Sequence, residues 1–189
     1  MRKVILLTAL LMGAIPVFSQ ITTLSDAELG FGFEAAMPMK GLKETQKTGL
    51  GGSIKFAYTI PNTYYLSPTF QAGFITFSGK PLPEGQTNLL KETYKPLFFI
   101  PVKAGMRYTF AGGIYGEPQL GASMILSEDD MGAPNNSIGF TYAINLGFQT
   151  LPGIDISARY EAVKFVNADV SVAGIRLAYH FTFRRQEIY

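Results

Sequence analysis

Phe98-Phe99-Ile100-Pro101-Val102-Lys103-Ala104-Gly105-Met106-Arg107-Tyr108-Thr109-Phe110 alternates between two kinds of side chain. Phe98, Ile100, Val102, Ala104, Met106, Tyr108 and Phe110 share one phase, while Lys103, Gly105, Arg107 and Thr109 share the other. A period of two belongs to an extended strand, whose successive side chains point to opposite faces; an amphipathic helix repeats every ~3.6 residues.

The same alternation recurs on both sides of this stretch. Leu29, Phe31, Phe33 and Ala35 alternate with Glu28, Gly30, Gly32 and Glu34; Leu50, Ile54, Phe56 and Tyr58 with Gly51, Ser53, Lys55 and Ala57; Leu66, Phe70 and Phe74 with Ser67, Thr69, Gln71 and Gly73. Further on, Leu120, Ala122 and Met124 oppose Tyr115, Glu117, Gln119 and Gly121, and Ile138, Phe140, Tyr142, Ile144, Leu146 and Phe148 oppose Gly139, Thr141, Asn145 and Gly147. Ile154, Ile156, Ala158 and Tyr160 oppose Asp155, Ser157, Arg159 and Glu161, and Ala173, Ile175, Leu177, Tyr179, Phe181 and Phe183 oppose Gly174, Arg176, Ala178, His180 and Thr182. Segments of roughly 9 to 14 residues exceed the ~5 to 6 of a soluble sheet and suit a tilted membrane strand.

The connections alternate too. Pro61-Asn62-Thr63, Ala111-Gly112-Gly113 and Leu151-Pro152-Gly153 read as tight turns. Between them, Pro38 to Gly49, Ser78 to Lys95 and Ser127 to Asn136 read as long polar connections, with a short fourth near Val166-Asn167. Short turns at one end and long loops at the other suit an outer-membrane barrel with both termini on the periplasmic side.

Alternation by itself leaves open which face is inside, because a soluble barrel reverses the two. Gly30, Gly32, Gly51, Gly73, Gly105, Gly121, Gly139, Gly147 and Gly174 lie on the polar face, against Gly52 and Gly116 on the apolar one. Small residues make room for long ones inside a narrow barrel and only weaken an exposed strand, so the polar face is expected to line the lumen. Tyr58, Tyr64, Tyr108, Phe110, Phe148, Phe181 and Phe183 gather on the apolar face near the turn end as one aromatic girdle; Phe74, Phe98 and Phe140 approach the opposite interface. Pro68, Pro101 and Pro118 interrupt alternating segments, where bulges or luminal water are expected to compensate the missing N–H.

The N-terminus is of another kind. Arg2 and Lys3 precede an uncharged run from Val4 to Ile15, then Pro16 and the small-residue pattern Val17-Phe18-Ser19. The run is shorter than the ~20 residues of a membrane helix and has no polar face, which fits a cleavable signal peptide, residues 1–19, ahead of a single barrel domain, residues 20–189. Export through the Sec pathway is the corresponding expectation. With no cysteine in the chain, disulfides, thiolate metal sites and a lipoprotein anchor are excluded. A net charge of +2 without a basic block argues against nucleic acid as a partner.

The expected fold is all-β, an eight-stranded antiparallel up-and-down transmembrane β-barrel. Ile100 to Phe110, followed by Tyr115-Gly116-Glu117-Pro118-Gln119-Leu120-Gly121, resembles the middle of the small outer-membrane barrel family common in Bacteroidota, and more broadly barrels of the OmpA and OmpX type. The resemblance implies an eight-stranded barrel, accommodates the proline-valine step, and includes PorT-like relatives linked to protein secretion.

On the luminal phase, Lys55, Lys103, Arg107, Arg159 and Arg176 are matched by Glu28, Glu34, Glu117, Asp155 and Glu161, with His180 beside them. An eight-stranded interior is filled by side chains, so these charges are expected to pair as a plug; a gated polar path or proton relay is the alternative. His180 faces inward with Thr182 as the nearest hydroxyl on its phase, which does not make a catalytic pair at the bilayer surface. Neither catalytic, cofactor nor metal residues are expected. Glu128-Asp129-Asp130 lacks calcium-loop spacing, and Gly30-Phe31-Gly32 and Lys43 to Gly49 lack a phosphate-loop pattern. In the longest connection Leu89, Leu90 and Tyr94 are candidate apolar contacts. The expected surroundings are outer-membrane lipid and lipopolysaccharide, with an envelope protein as partner and a structural or interaction role. Small-solute passage and an outer-leaflet lipid-modifying enzyme are the alternatives.

Overall fold

A computed structural model describes residues 27–60, 63, 65–82, 93–128, 134–150, 153–166 and 168–183. The signal-peptide segment, Leu89, Leu90, Tyr64, Asp129, Asp130 and the tail after Phe183 lie outside the described residues. Eight strands follow one another: β1 (Ala27–Lys40), β2 (Gln46–Tyr58), β3 (Leu66–Gly79), β4 (Leu97–Thr109), β5 (Ile114–Glu128), β6 (Pro134–Gln149), β7 (Ile154–Lys164) and β8 (Asp169–Phe183). Each pairs antiparallel with the next, and β1 pairs with β8 from Ala27↔Phe183 to Lys40↔Ser171, closing the barrel.

At the turn end, β4 passes to β5 through Ala111–Gly113. Gly112 and Gly113 there have φ of 76° and 84°, values that a residue with a Cβ rarely adopts, and Phe110 N donates to Ile114 O at 2.7 Å to close the turn.

At the loop end the strands run further than their alternation suggests. β1 reaches Lys40 and β2 starts at Gln46, so the expected long connection from Pro38 to Gly49 is a five-residue turn, 41–45. Gln46 N donates to Leu42 O at 2.8 Å, and the buried Leu42 side chain folds over the barrel mouth. The loop expected from Ser78 to Lys95 is also partly structured: Pro81 bridges Thr93, and Tyr94 N donates to Lys80 O at 2.9 Å. Tyr94 therefore stands at the base of that loop, half-buried. β5 and β6 likewise extend to Glu128 and from Pro134, narrowing the connection expected between Ser127 and Asn136.

The three prolines do not produce the expected bulges. Pro68 sits opposite Met106, Pro101 opposite Ser123 and Pro118 opposite Ile144, with one register running through each pair of strands. On the other neighbouring strand the pairing lapses beside Pro101, between Ala72↔Val102 and Ile75↔Phe99, and beside Pro118, between Gly105↔Gln119 and Tyr108↔Gly116, and each time it resumes in the same register. Register shifts occur at other places near the loop end, between Pro38 and Lys40 and between Gln46 and Gly49.

Outward positions carry the large apolar side chains, with Phe33, Leu120, Leu146 and Ile175 about 60% exposed, at 57%, 59%, 62% and 62%. Inward positions fall into two layers. The turn half of the lumen is polar. The loop half is apolar, built from Ala36, Leu42, Ile75, Phe77, Leu97, Phe99, Ile125, Val163, Val170 and Val172, with Phe165 packed against them. This corrects the expectation of a wholly polar lumen. In Leu97-Phe98-Phe99-Ile100 both phases are apolar, so alternation loses contrast where the inward chemistry changes.

Phe77 and Phe99 meet edge to face at a centroid distance of 6.5 Å with no exposed surface. Phe99→Ala should lower unfolding stability in urea by about 3–5 kcal/mol by opening a cavity in this layer. Its neighbour Phe98 points outward, and Phe98→Ala should cost clearly less because it opens no internal cavity.

Candidate functional site in the barrel lumen

The most concentrated chemistry is the polar layer of the lumen. β1 supplies Glu28 and Glu34; β2, Lys55; β4, Lys103 and Arg107; β5, Glu117; β7, Asp155, Arg159 and Glu161; β8, Arg176 and His180. All except Glu28 are buried, and Glu28, with 15% of its side chain exposed, lies at the turn-end margin.

Several ion pairs cross the lumen. Lys55 Nζ on β2 donates to Glu117 Oε2 on β5 at 3.1 Å, Lys103 Nζ on β4 to Glu161 Oε2 on β7 at 2.5 Å, and Arg159 Nη2 on β7 lies 2.7 Å from Glu34 Oε2 on β1. None of these pairs joins adjacent strands. Arg107 lies 3.3 Å from Glu117, 3.5 Å from Glu28 and 3.8 Å from Asp155. Arg176 lies 3.9 Å from both Asp155 and Glu34, and Arg159 reaches Glu161 at 3.1 Å. The five cations and five carboxylates thus form one connected chain from Lys55 to Lys103. His180 sits within it, with Nδ1 3.4 Å from Glu28 and Nε2 3.3 Å from Asp155.

Neutral side chains complete the layer. Glu117 accepts from Thr69 at 3.0 Å and Gln119 at 2.5 Å, Glu34 accepts from Gln71 at 2.9 Å, and Arg176 Nε donates to Ser53 at 2.9 Å. Tyr115 donates its hydroxyl to Asp155 at 2.9 Å, and its ring lies 4.4 Å from the Arg107 guanidinium. At the turn end Gln149 accepts from Arg107 at 2.7 Å and donates to Glu28 at 3.0 Å. Sequence reasoning put Tyr115, Gln71, Gln119, Thr69 and Ser53 on the luminal phase without including them in the network, and it missed Gln149. Their signal was the inward phase shared with the charges, although uncharged residues carry no sign to match.

Glycine provides the space. A Cβ at Gly30 would lie 2.6 Å from the His180 ring, one at Gly32 2.6 Å from Arg176 Nε, and one at Gly147 would overlap the Tyr115 ring. Each glycine faces a long luminal side chain on a neighbouring strand.

Chemically the layer is a dense set of paired donors and acceptors, although the buried Arg159 Nη1, Arg176 Nη2 and Gln119 Oε1 make no hydrogen bond within it. The groups around His180 are carboxylates and a guanidinium, and the Thr182 hydroxyl, on an exposed residue, is not among them. Among the described residues no group of three or more His, Asp or Glu side chains is placed to hold a metal ion. Moving ten charges out of water costs several kcal/mol per ion, which only close pairing and further hydrogen bonds offset.

Three solved structures align over more than four-fifths of the chain. Ail, the attachment invasion locus protein of Yersinia pestis, in complex with the heparin analogue sucrose octasulfate, is 16% identical and matches with a TM-score of 0.59, covering 82% of this chain and 97% of Ail. Neisserial surface protein A is 17% identical with a TM-score of 0.58, over 84% and 98%. The N-terminal barrel domain of Pseudomonas aeruginosa OprF is 11% identical with a TM-score of 0.50, over 82% and 97%. The fold is that of the small eight-stranded outer-membrane barrels. No protein-family model and no curated protein matches the chain.

Breaking one cross-lumen pair should be costly and repairable. Glu161→Gln leaves the buried Lys103 ammonium without its carboxylate and should destabilise by about 3–5 kcal/mol in urea unfolding. Lys103→Met added to Glu161→Gln should recover much of that loss; an additive double variant would show that the pair is not coupled.

Proposed function

We propose that this chain is a non-enzymatic integral outer-membrane barrel with a sealed lumen, acting as a structural or interaction protein through its loop end or its turn face. The observation that carries this reading is the inversion of the usual soluble arrangement. Large apolar side chains cover the outside of a closed ladder while ten charged groups are held inside it. Such an outer surface is far larger than the few hundred Å² of apolar patch that a soluble protein exposes, whereas hydrocarbon matches it. The turn-end aromatics Tyr58, Tyr108, Phe110, Phe181 and Phe183 are all exposed on that surface, as a girdle at one interface requires.

The sealed lumen is supported by two stacked obstacles, the apolar layer at the loop end and the charge network below it. Export by residues 1–19 through the Sec pathway belongs to the same proposal. So does kinship with the Bacteroidota barrels and their PorT-like relatives, supported by the stretch from Ile100 to Gly121, which contributes Lys103, Arg107, Tyr115, Glu117 and Gln119 to the lumen. Lipopolysaccharide is the proposed surface contact: Lys40, Lys43, Lys47 and Lys164 are exposed at the loop end. Leu89, Leu90 and Tyr94 are the proposed apolar contacts for an envelope protein.

Unheated folded protein should migrate anomalously on a denaturing gel and shift on boiling, because a closed ladder resists detergent until heated. Leu177→Arg, on the outward face, should cost roughly 2–4 kcal/mol, while Asn145, buried in the lumen, should tolerate a polar exchange. In planar bilayers free of porins the barrel should show no stable conductance, and reproducible open steps would favour passage instead.

A further inference from the structure

On the outer wall, β6, β7, β8 and β1, with Thr48 of β2, surround an open depression of about 570 Å³, within the ~300–1,000 Å³ of ligand clefts. Leu146, Tyr160 and Ile175 stand around it, and Ala35, Ala158 and Ala173 form its floor. The register makes it: Ala158 lies between Leu146 and Ile175 on its two neighbours, Ile175 is opposite Ala35, and Tyr160 is opposite Ala173. Short and long outward side chains therefore alternate across the strands.

The same strands carry two lysines above this depression. On β7, Tyr160, Ala162 and Lys164 share the outward phase, and Lys164 pairs with Asp169 of β8 in the ladder. On β1, Lys40 follows Met37 beyond the register shift, opposite Ser171, which is itself opposite Ala162. At ~3.3 Å per residue both lysines stand roughly 10–13 Å up the wall from the Met37–Tyr160 edge. Lys40 Nζ lies 4.0 Å from Asp169 Oδ2, with side chains 75% and 54% exposed, and Lys164 is exposed as well. Two ammonium groups against one carboxylate leave one positive charge in excess at this rim.

We propose that the depression and its rim form a binding site for a phosphorylated membrane lipid, an acyl chain lying in the depression and the phosphate meeting Lys40 and Lys164. The assignment rests on the membrane reading given above. In hydrocarbon an open apolar hollow is filled by a chain-shaped apolar group, and the cationic rim at the loop end selects an anionic head over a zwitterionic one. An anionic lipid supplies both parts in one molecule.

The test uses barrel refolded in detergent, incubated with dioleoylphosphatidic acid or dioleoylphosphatidylcholine, and weighed intact by native mass spectrometry. Wild type should retain one phosphatidic acid in preference to phosphatidylcholine. Lys40→Gln with Lys164→Gln should bring the two lipids to parity, and Ala173→Phe, which fills the hollow, should lose both. Ala122→Phe, outward on β5, should behave as wild type. Should Ala173→Phe fail to fold, Ala158→Leu fills the same hollow. Unchanged retention after filling, a preference that survives both glutamines, or full displacement by inorganic phosphate alone would overturn the lipid site. A dimer mass abolished by Ala173→Phe would assign the hollow to a second copy and overturn it too. Heat-dependent mobility, measured on each sample, tests the membrane reading separately: a heat-modifiable barrel that retains no lipid removes only this site.

Discussion

Everything else in the molecule depends on the pairing of β1 with β8. That ladder removes the last free sheet edges, so the backbone of the wall pairs within the wall itself, with lapses only beside the strand prolines and near the loop-end register shifts. Once closed, the sheet has a narrow interior and a convex exterior, and each residue must suit one or the other. The exterior can be apolar because no backbone polar group faces it, and the interior must be filled because eight strands enclose no wide channel.

The filling explains the odd chemistry of the inside. Long charged side chains reach across the lumen between strands that are not neighbours, as Lys55 does to Glu117 and Lys103 to Glu161, so they act as struts between opposite walls. Such pairs return little net stability once desolvation is counted, but an unmatched register would leave a buried charge alone, which penalises misaligned closure. The apolar layer toward the loops supplies the packing that the polar layer does not, with Phe77 and Phe99 at its centre.

The fold was legible in the sequence because period-two alternation survives in all eight strands and glycine marks the inner face. Gly30 and Gly32 were informative for a steric reason now visible, since His180 and Arg176 occupy the space a Cβ would need. Strand ends were less legible. Pro38, Lys40 and Gln46 look like loop residues, yet ladder pairing and the turn around Leu42 carry the sheet through them. The charged members of the lumen could be chosen by sign and phase, but the pairs that join distant strands, Lys55 with Glu117 and Lys103 with Glu161, depend on cross-lumen geometry that no spacing along the chain encodes. The apolar layer was hidden because Ile75, Phe77 and Phe99 follow the inward phase while matching the outward phase in chemistry.

Site-by-site accessibility along β6 tests the central claim most directly. Because the chain has no cysteine, single cysteines at consecutive positions from Phe140 to Phe148 can each carry a nitroxide in protein reconstituted into lipid vesicles. Power saturation with oxygen and with a water-soluble nickel chelate should show oxygen contact peaking at Tyr142, Ile144 and Leu146 and falling at Thr141, Ala143 and Asn145, with the chelate excluded from the outward sites. Chelate contact at those outward positions, or accessibility without a two-residue period, would contradict an outside made for hydrocarbon and an inside sealed by paired charge.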